Sequence, residues 1–264
     1  MRQCKVQTMA ISEPWSRITQ PDRASRARTR GEHPVIADFM DDGCNETPSR
    51  FDGLYGAAYS AVIQRQPTRI AAGWMWGRGS AMSFLDDLLD NALAGLTAND
   101  FILDVPCGRG STIREAAKRN MQARMASCDI SSAMLDGAAP HAAHAAVPVL
   151  LARCDAGNLP FQDGVFQRAI SINGLHCMPD PESFLAEIRR TLAPQSDLWM
   201  TTLVSSTSRR HAVINHAALR SGIIPAEPPT REHLEHMAYA AGFDRIEDLG
   251  GSGIAAFLLR TPIA

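Results

Sequence analysis

Lysine is nearly absent from this chain: Lys5 and Lys118 are the only two, and arginine supplies the rest of the positive charge. That bias follows from codon usage in a GC-rich genome and carries no functional weight. The 26 basic residues meet 28 acidic ones, for a net charge of −2. Such a balance makes no field that holds a polyanion, which argues against a general binder of nucleic acid or of acidic membrane surfaces. Arginines and acids interrupt every apolar stretch before it reaches the ~18–20 residues a membrane helix requires, so a soluble protein is expected. The six cysteines (Cys4, Cys44, Cys107, Cys128, Cys154 and Cys177) form no CxxC pair and follow no secretory leader. Neither a disulfide framework nor a zinc knuckle fits them, and a reducing cytoplasm is the expected compartment. Internal repeats are also missing.

What is present is 264 residues, 45% of them hydrophobic, enough for one ordinary globular domain with appendages. Residues 1–33 mix arginines with Ser, Thr, Gln and Pro without apolar periodicity and read as a flexible arm. An organellar leader is less favoured than a bacterial arm, because Glu13, Asp22 and Glu32 interrupt it. Residues 34–97 turn helical, with stripes through Phe51, Leu54, Tyr55, Ala58, Tyr59, Val62 and through Met82, Leu85, Leu88, Leu89, Ala92. A helical cap is expected there.

From residue 98 onward short β-type runs alternate with helices, the pattern of a parallel sheet covered on both faces. Strands are expected at 101–105, 124–128, 148–154, 168–172 and 198–204, followed by a terminal pair at 245–249 and 254–260. Helices are expected at 112–120, 132–139 and 181–192, with another starting at Thr230 and ending at Gly242. Residues 205–229 read as irregular.

The chemistry sits at the first of these strands. Phe101-Ile-Leu-Asp104-Val-Pro106-Cys107-Gly108-Arg109-Gly110-Ser111-Thr112 is a buried strand, a tight turn and a helix start. Glycines at such a junction let a ligand lie against bare backbone at the positive end of a helix. A dinucleotide fold would need a third glycine where Ile113 stands, and its pyrophosphate would be repelled by Asp104. A carboxylate beside the cradle suits a cationic amino group instead. Asp129, about 19 residues past Gly110, ends the second strand where a ribose diol is held, and Asp155 ends the third. Three acids at neighbouring strand ends converge on the crevice where open sheets of this kind bind ligands.

Taken in order, the motifs Ile102-Leu-Asp104-Val-Pro-Cys-Gly-Arg-Gly110, Cys128-Asp129-Ile-Ser-Ser-Ala-Met134-Leu, Cys154-Asp155-Ala156-Gly-Asn-Leu-Pro160-Phe161 and Asn173-Gly-Leu-His176-Cys-Met-Pro179-Asp180 resemble the class I S-adenosylmethionine-dependent methyltransferases. The likeness is strongest to the type 11 subfamily with its quinone- and sterol-methylating enzymes, and it covers about residues 99–259. It implies an α/β fold: a Rossmann-like, seven-stranded, mostly parallel sheet with an antiparallel last strand, plus the N-terminal helical cap. It implies S-adenosyl-L-methionine as cofactor and S-adenosyl-L-homocysteine as product. By the resemblance Gly108 and Gly110 cradle the methionine part with Pro106 and Cys107, Asp104 holds its amino group, and Asp129 holds the ribose hydroxyls. Ile130 and Met134 lie toward the adenine, Asp155 and Ala156 read its edge, and Asn173 and Leu175 line the sulfonium side. Three departures stand out: Pro106 for a glycine, Gln167 for the usual Asp, and Gln195-Ser196 for a Gly-Gly turn. None removes a group that touches the cofactor.

Methyl transfer from a sulfonium is an in-line displacement, so the protein mainly aligns the reactants and excludes water. His176, at the end of the fourth strand, is the candidate base or orienting group, with a packing role as the alternative. His211 and His216, in a segment resembling the family's substrate-recognition insertion, are weaker candidates. His141, His144, His233 and His236 read as surface. Tyr59, with Tyr55, Trp74 and Trp76, either closes over the cofactor or forms the core of the cap. The cysteines near the crevice read as small buried hydrophobes, and no metal is expected. The reading is a cytoplasmic methyltransferase of a small hydrophobic or aromatic metabolite, monomeric or homodimeric, with no nucleic-acid partner and no integral membrane association. Its rivals are a cyclisation or rearrangement enzyme on the same fold and a non-enzymatic S-adenosylmethionine-binding regulator.

Overall fold

The computed structural model describes residues 5–8, 11–23, 26–29, 36–40, 81–205, 208–220, 224–251 and 253–263. Its strands are β1 (Lys5–Thr8), β2 (Arg26–Thr29), β3 (Ile36–Asp38), β4 (Phe101–Asp104), β5 (Arg124–Asp129), β6 (Val149–Arg153), β7 (Phe166–Ile172), β8 (Leu192–Leu203), β9 (Arg245–Gly250) and β10 (Ile254–Arg260). The helices are α1 (Ala81–Leu93), α2 (Ser111–Lys118), α3 (Ser132–Ala143), α4 (Pro181–Thr191), α5 (Arg209–Arg220) and α6 (Arg231–Ala240). No helix among the described residues is long and apolar enough to cross a membrane.

All ten strands form one sheet in the order β1-β2-β3-β6-β5-β4-β7-β8-β10-β9. From β3 to β8 the neighbours run parallel, whereas β10 is antiparallel to both β8 and β9. The seven expected strands are all there, with β10 as the reversed one. The parallel strands are legible because the central parts of β4 to β8 are buried on both faces and carry short apolar runs such as Phe101-Ile-Leu and Val149-Leu-Leu-Ala. Adjacent residues go to opposite faces: Leu103, Ala126, Ala152 and Ala169 pack under α4 and α6, while Ile102, Met125, Leu151 and Ile170 pack under α1, α2 and α3.

The sheet is wider than the expected seven strands. Ile36, Ala37 and Asp38 pair with Leu151, Ala152 and Arg153, so β6 is internal, and the β1–β2 hairpin extends the edge further. A three-residue strand is too short to show alternation, and the hairpin strands are too polar to show an apolar face. The expected arm over residues 1–33 is likewise corrected for its described part. Trp15 and Ile18 are buried, the Trp15 ring meets Phe101 edge-on at 5.7 Å, and the Gln20 and Gln162 amides bond to Pro160 and Ile18 across a short bridge. Two anchors three residues apart leave no periodic signature in a polar segment.

Two boundaries also move. The stripe Leu88-Leu89-Ala92-Leu93 of α1 packs directly on the sheet beside Ile102 and Ile113, which places this helix in the covering layer. Arg168 of β7 caps its carboxyl end, donating to the Ala92 carbonyl at 2.7 Å. The sheet domain therefore begins before residue 98, and within the expected helical cap of residues 34–97 the described residues form the strand β3 and the sheet-covering helix α1 instead. The segment read as irregular, 205–229, contains α5, whose alternation of His, Arg and Ala gives a weak stripe. The remaining residues of the expected cap, 41–80, lie outside the described residues.

Candidate functional site

Four strand ends build the site. The β4 strand delivers Asp104 to its carboxyl edge, and the chain then turns through a cis Val105–Pro106 bond into Cys107 and the glycines. The turn is held from below: the Val105 amide donates to the Ile170 carbonyl at 3.0 Å and the Cys107 amide to the Cys128 carbonyl at 2.7 Å. Gly108 and Gly110 both adopt left-handed backbone, with φ of 53° and 78°. A side chain on Gly108 would meet nothing within 4 Å, so the space above its backbone is open. One on Gly110 would come within 3.1 Å of the Ala138 backbone, so this glycine lets α2 start hard against α3. Close helix contact is thereby supplied without the third glycine that Ile113 replaces. Pro106 has its own partner, because a side chain at Gly174 would lie 2.4 Å from the proline ring.

Asp104 is 1% exposed, and burial pushes its carboxyl up from 3.8 to about 7, against the hydroxyls of Thr112 and Ser127 and aided by the nearby Asp129 charge. Ser127 Oγ donates to Asp104 Oδ2 at 3.2 Å. The other oxygen, Oδ1, is buried with no hydrogen-bond partner among the described residues. Such an acceptor asks for a donor, and a cationic one also restores the charged form.

Asp129 ties two loops together. Its Oδ2 accepts from the Gly108 amide and its Oδ1 from the Ser131 amide, each at 2.9 Å. Ile130 follows with an exposed side chain, and Ser131 caps α3 by accepting the Met134 amide. Met134 and Ala156 are buried. Asp155 is exposed, and its Oδ1 accepts the Gly157 amide at 2.9 Å, closing a turn beneath the neighbouring backbone.

Past β7, Asn173 sits in left-handed backbone with φ of 57°. Its amide donates to the Thr201 carbonyl and hydroxyl, and the hydroxyl returns a bond to Asn173 Oδ1 at 3.2 Å. Leu175 is fully buried. His176 is buried too, and its Nδ1 accepts the Leu203 amide at 3.2 Å while facing the Thr202 hydroxyl at the same distance. An amide can only donate, so the neutral ring carries its proton on Nε2. Burial lowers this ring from 6.5 to about 4. A group so weakly basic, with Nδ1 already engaged, is a poor proton acceptor at neutral pH and serves better as an Nε2 donor. Nitrogen-resolved NMR is expected to show the Nε2–H tautomer at pH 7 and titration below pH 5; an inflection near 6.5 would contradict it.

The structure thus brings together Asp104, Pro106, Cys107, Gly108, Gly110, Asp129, Ile130, Met134, Asp155, Ala156, Asn173, Leu175 and His176 along one carboxyl edge of the sheet, on β4, β5, β6 and β7, on the segments after them or, for Met134, in the first turn of α3. Tyr59 lies outside the described residues, as do Tyr55, Trp74 and Trp76. Burial pushes the thiols of Cys107 and Cys128 well above their usual range, which keeps them protonated. His233 and His236 are exposed on α6, whereas His211 is buried on α5. Sequence reading missed Ser127 under Asp104, Thr201 and Thr202 beside the β7 loop, and Arg153 paired with Asp38. An arginine inside the apolar run Val149-Leu-Leu-Ala-Arg153 was the available signal for the last.

Residues 102–195 match the family described as a methyltransferase domain. A ubiquinone/menaquinone biosynthesis C-methyltransferase, UbiE, of Bordetella avium is 35% identical over 98 residues, 37% of this chain and 38% of that protein. A demethylmenaquinone methyltransferase of Chlamydia pneumoniae is 27% identical over 124 residues, 47% of this chain and 53% of that protein. The chain therefore aligns with about half or less of these relatives' length. Among solved structures, the [4+2]-cyclase SpnF shares the fold with a TM-score of 0.56 at 20% identity, over 70% of this chain and 83% of that one. The glycine turn and the orphaned Asp104 oxygen lie within the span that matches the methyltransferase domain, and over that span the chain is similar to methyltransferases.

Proposed function

We propose that this protein transfers the methyl group of S-adenosylmethionine to a small hydrophobic or aromatic acceptor, with a quinone-like ring as the first class to test. The observation that carries the cofactor reading is the buried, unpartnered Asp104 Oδ1 beside the open, left-handed Gly108. Asp104 is placed for the amino group of the methionine end, Gly108 and Gly110 for its chain, and Asp129 for the ribose hydroxyls. Ile130, Met134, Asp155 and Ala156 surround the adenine end in this reading, and Asn173 and Leu175 the sulfonium side. Pro106 and Cys107 shape the turn between them. The cofactor supplies an electrophilic methyl on a good leaving group, so the residues present have mainly to bind and align. The acceptor class rests on the names of the two relatives.

His176 sharpens the choice of acceptor. A neutral ring that donates from Nε2 orients an oxygen or an anion rather than removing its proton. The favoured acceptor therefore reaches the site already nucleophilic, as an ionised phenol or an electron-rich ring does. The helix α5 forms part of the acceptor-side wall in this reading. In this reading the protein acts in the cytoplasm on a small-molecule acceptor, without nucleic acid and without integral membrane association.

Incubation with methyl-labelled S-adenosylmethionine and a panel of demethylated quinols and phenols tests this. Label on the product, with one S-adenosylhomocysteine formed per turnover, is the expected result. A changed but unlabelled product would favour a cyclisation or rearrangement enzyme, a chemistry that the structural likeness to SpnF supports. Failure to bind the cofactor at high micromolar concentration would overturn both.

A further inference from the structure

Arg153 is the least expected side chain in the sheet. It ends β6 at 2% exposure, and its Nη1 lies 3.4 Å from both oxygens of Asp38, which is equally buried. Asp38 is the last residue of β3 and is locked by its own neighbours: its Oδ1 accepts the Met40 amide at 3.0 Å, and the Phe39 amide donates to the Arg153 carbonyl at 2.9 Å. The guanidinium reaches in the other direction as well. Its Nε donates to the Ile130 carbonyl at 3.1 Å.

Ile130 is the residue between two fixed points. Asp129 on one side accepts the amides of Gly108 and Ser131, and its carbonyl accepts the Cys154 amide at 3.2 Å. Ser131 on the other side begins α3. Arg153 pins the peptide between them from behind, and the exposed Ile130 side chain projects on the open side at 42% exposure. A buried guanidinium is tolerated only with its charge matched and its donors used. Asp38 supplies the charge, and the Ile130 carbonyl uses a donor. The β3 segment, outside the seven-stranded core, thus reaches the platform between β5 and α3 through one side chain.

We infer that Arg153 is a positioning residue for the adenosine end of the cleft, and that β3, through Asp38, holds its aim. This rests on the cofactor reading of the cleft given above. Without Arg153 the Ile130 peptide loses its restraint and the apolar platform is no longer preset, so the nucleoside must order it on binding. The methionine end is held separately, by Asp104 and the glycine turn, and meets this platform through the Gly108 amide on Asp129.

Calorimetry with adenosine and with S-adenosylhomocysteine, on wild type, Arg153→Met, Asp38→Asn and the double variant, separates positioning from mere stability. Either single change removes one half of a buried ion pair, so both are expected to lower the melting temperature. The double change removes both charges and is expected to recover most of it. Adenosine affinity is expected to fall about tenfold in Arg153→Met and to stay low in the double variant, with S-adenosylhomocysteine weakened by the same factor. A double variant that regains wild-type adenosine affinity overturns the inference, because stability alone then explains the singles. Unchanged affinity in Arg153→Met overturns it while leaving the cofactor reading intact. Wild-type protein that binds neither probe overturns both.

Discussion

Asp104→Asn is expected to stabilise the ligand-free protein at pH 8 and to cost it the cofactor. Burial raises this carboxyl from 3.8 to about 7, so the folded protein keeps its proton where the unfolded chain has released it. Stability then falls as pH rises from near 4 to near 7, and above 7 the folded state carries the full cost of a buried charge, about 4 kcal/mol. Asn is close in shape and carries no charge, and its oxygen still accepts from Ser127. The melting temperature of Asp104→Asn is therefore expected to exceed wild type at pH 8 and to match it near pH 4. Cofactor affinity moves the other way, because the Asn amide would point donors at an ammonium group. A loss of about 100-fold or more in S-adenosylmethionine affinity is expected. The wild type is expected to bind more tightly as pH rises, by about tenfold per unit below pH 7, since an ammonium prefers the ionised carboxylate. Affinity that is flat between pH 5.5 and 7.5 would contradict the placement of Asp104 at the amino group.

His176 tilts the same pH window in the opposite sense. Its ring is held near 4 by burial while the unfolded value is 6.5, so the unfolded chain takes up the proton first and stability falls as pH drops through that interval. Between about pH 4 and 6.5 the two groups partly cancel, and only Asp104 remains active from there to 7. Removing either one exposes the slope of the other. Together they describe a cleft kept dry beneath its loops, where one carboxyl resists ionising and one imidazole resists protonation.

The sheet was legible because its strands are apolar on both faces and its helices carry clean stripes. Phe184, Leu185 and Ile188 of α4 fall on one buried face, as their spacing requires. The β4–α2 turn was legible from chemistry: two glycines and an acid at a strand end admit few ligands. What escaped had no periodic signal to give. The β3 strand is three residues long, and its partner contact depends on an aspartate more than a hundred positions before the arginine it meets. Trp15 anchors a polar segment through a single ring. The helical stripe of α1 was readable, but its destination was not: the same amphipathic pattern serves a lid or a sheet layer, and only tertiary packing on Ile102 decides. The role of His176 turned on which nitrogen faces the Leu203 amide, a fact of three dimensions.

Asp129 is where the two ends of the cleft are joined, and its removal should show that coupling. The carboxylate accepts the Gly108 amide from the β4–α2 turn and the Ser131 amide from the β5–α3 loop. Asp129→Ala leaves both donors without their acceptor, for an expected loss of about 2–4 kcal/mol of stability. Asp129→Asn is little better, since its nitrogen must face one of the two amides, donor against donor. Hydrogen exchange at Gly108 and Ser131 is expected to accelerate together in either variant, with other α3 amides less affected. Binding should respond at both ends as well. Adenosine loses the ribose acceptor, while S-adenosylhomocysteine loses that and the preset glycine turn, so its affinity is expected to fall by the larger factor, about 100-fold or more. This asymmetry separates Asp129 from Arg153, whose loss weakens the two probes equally. If S-adenosylhomocysteine binding to Asp129→Ala stays within threefold of wild type, neither the ribose contact nor the stitched loops can be as the geometry describes.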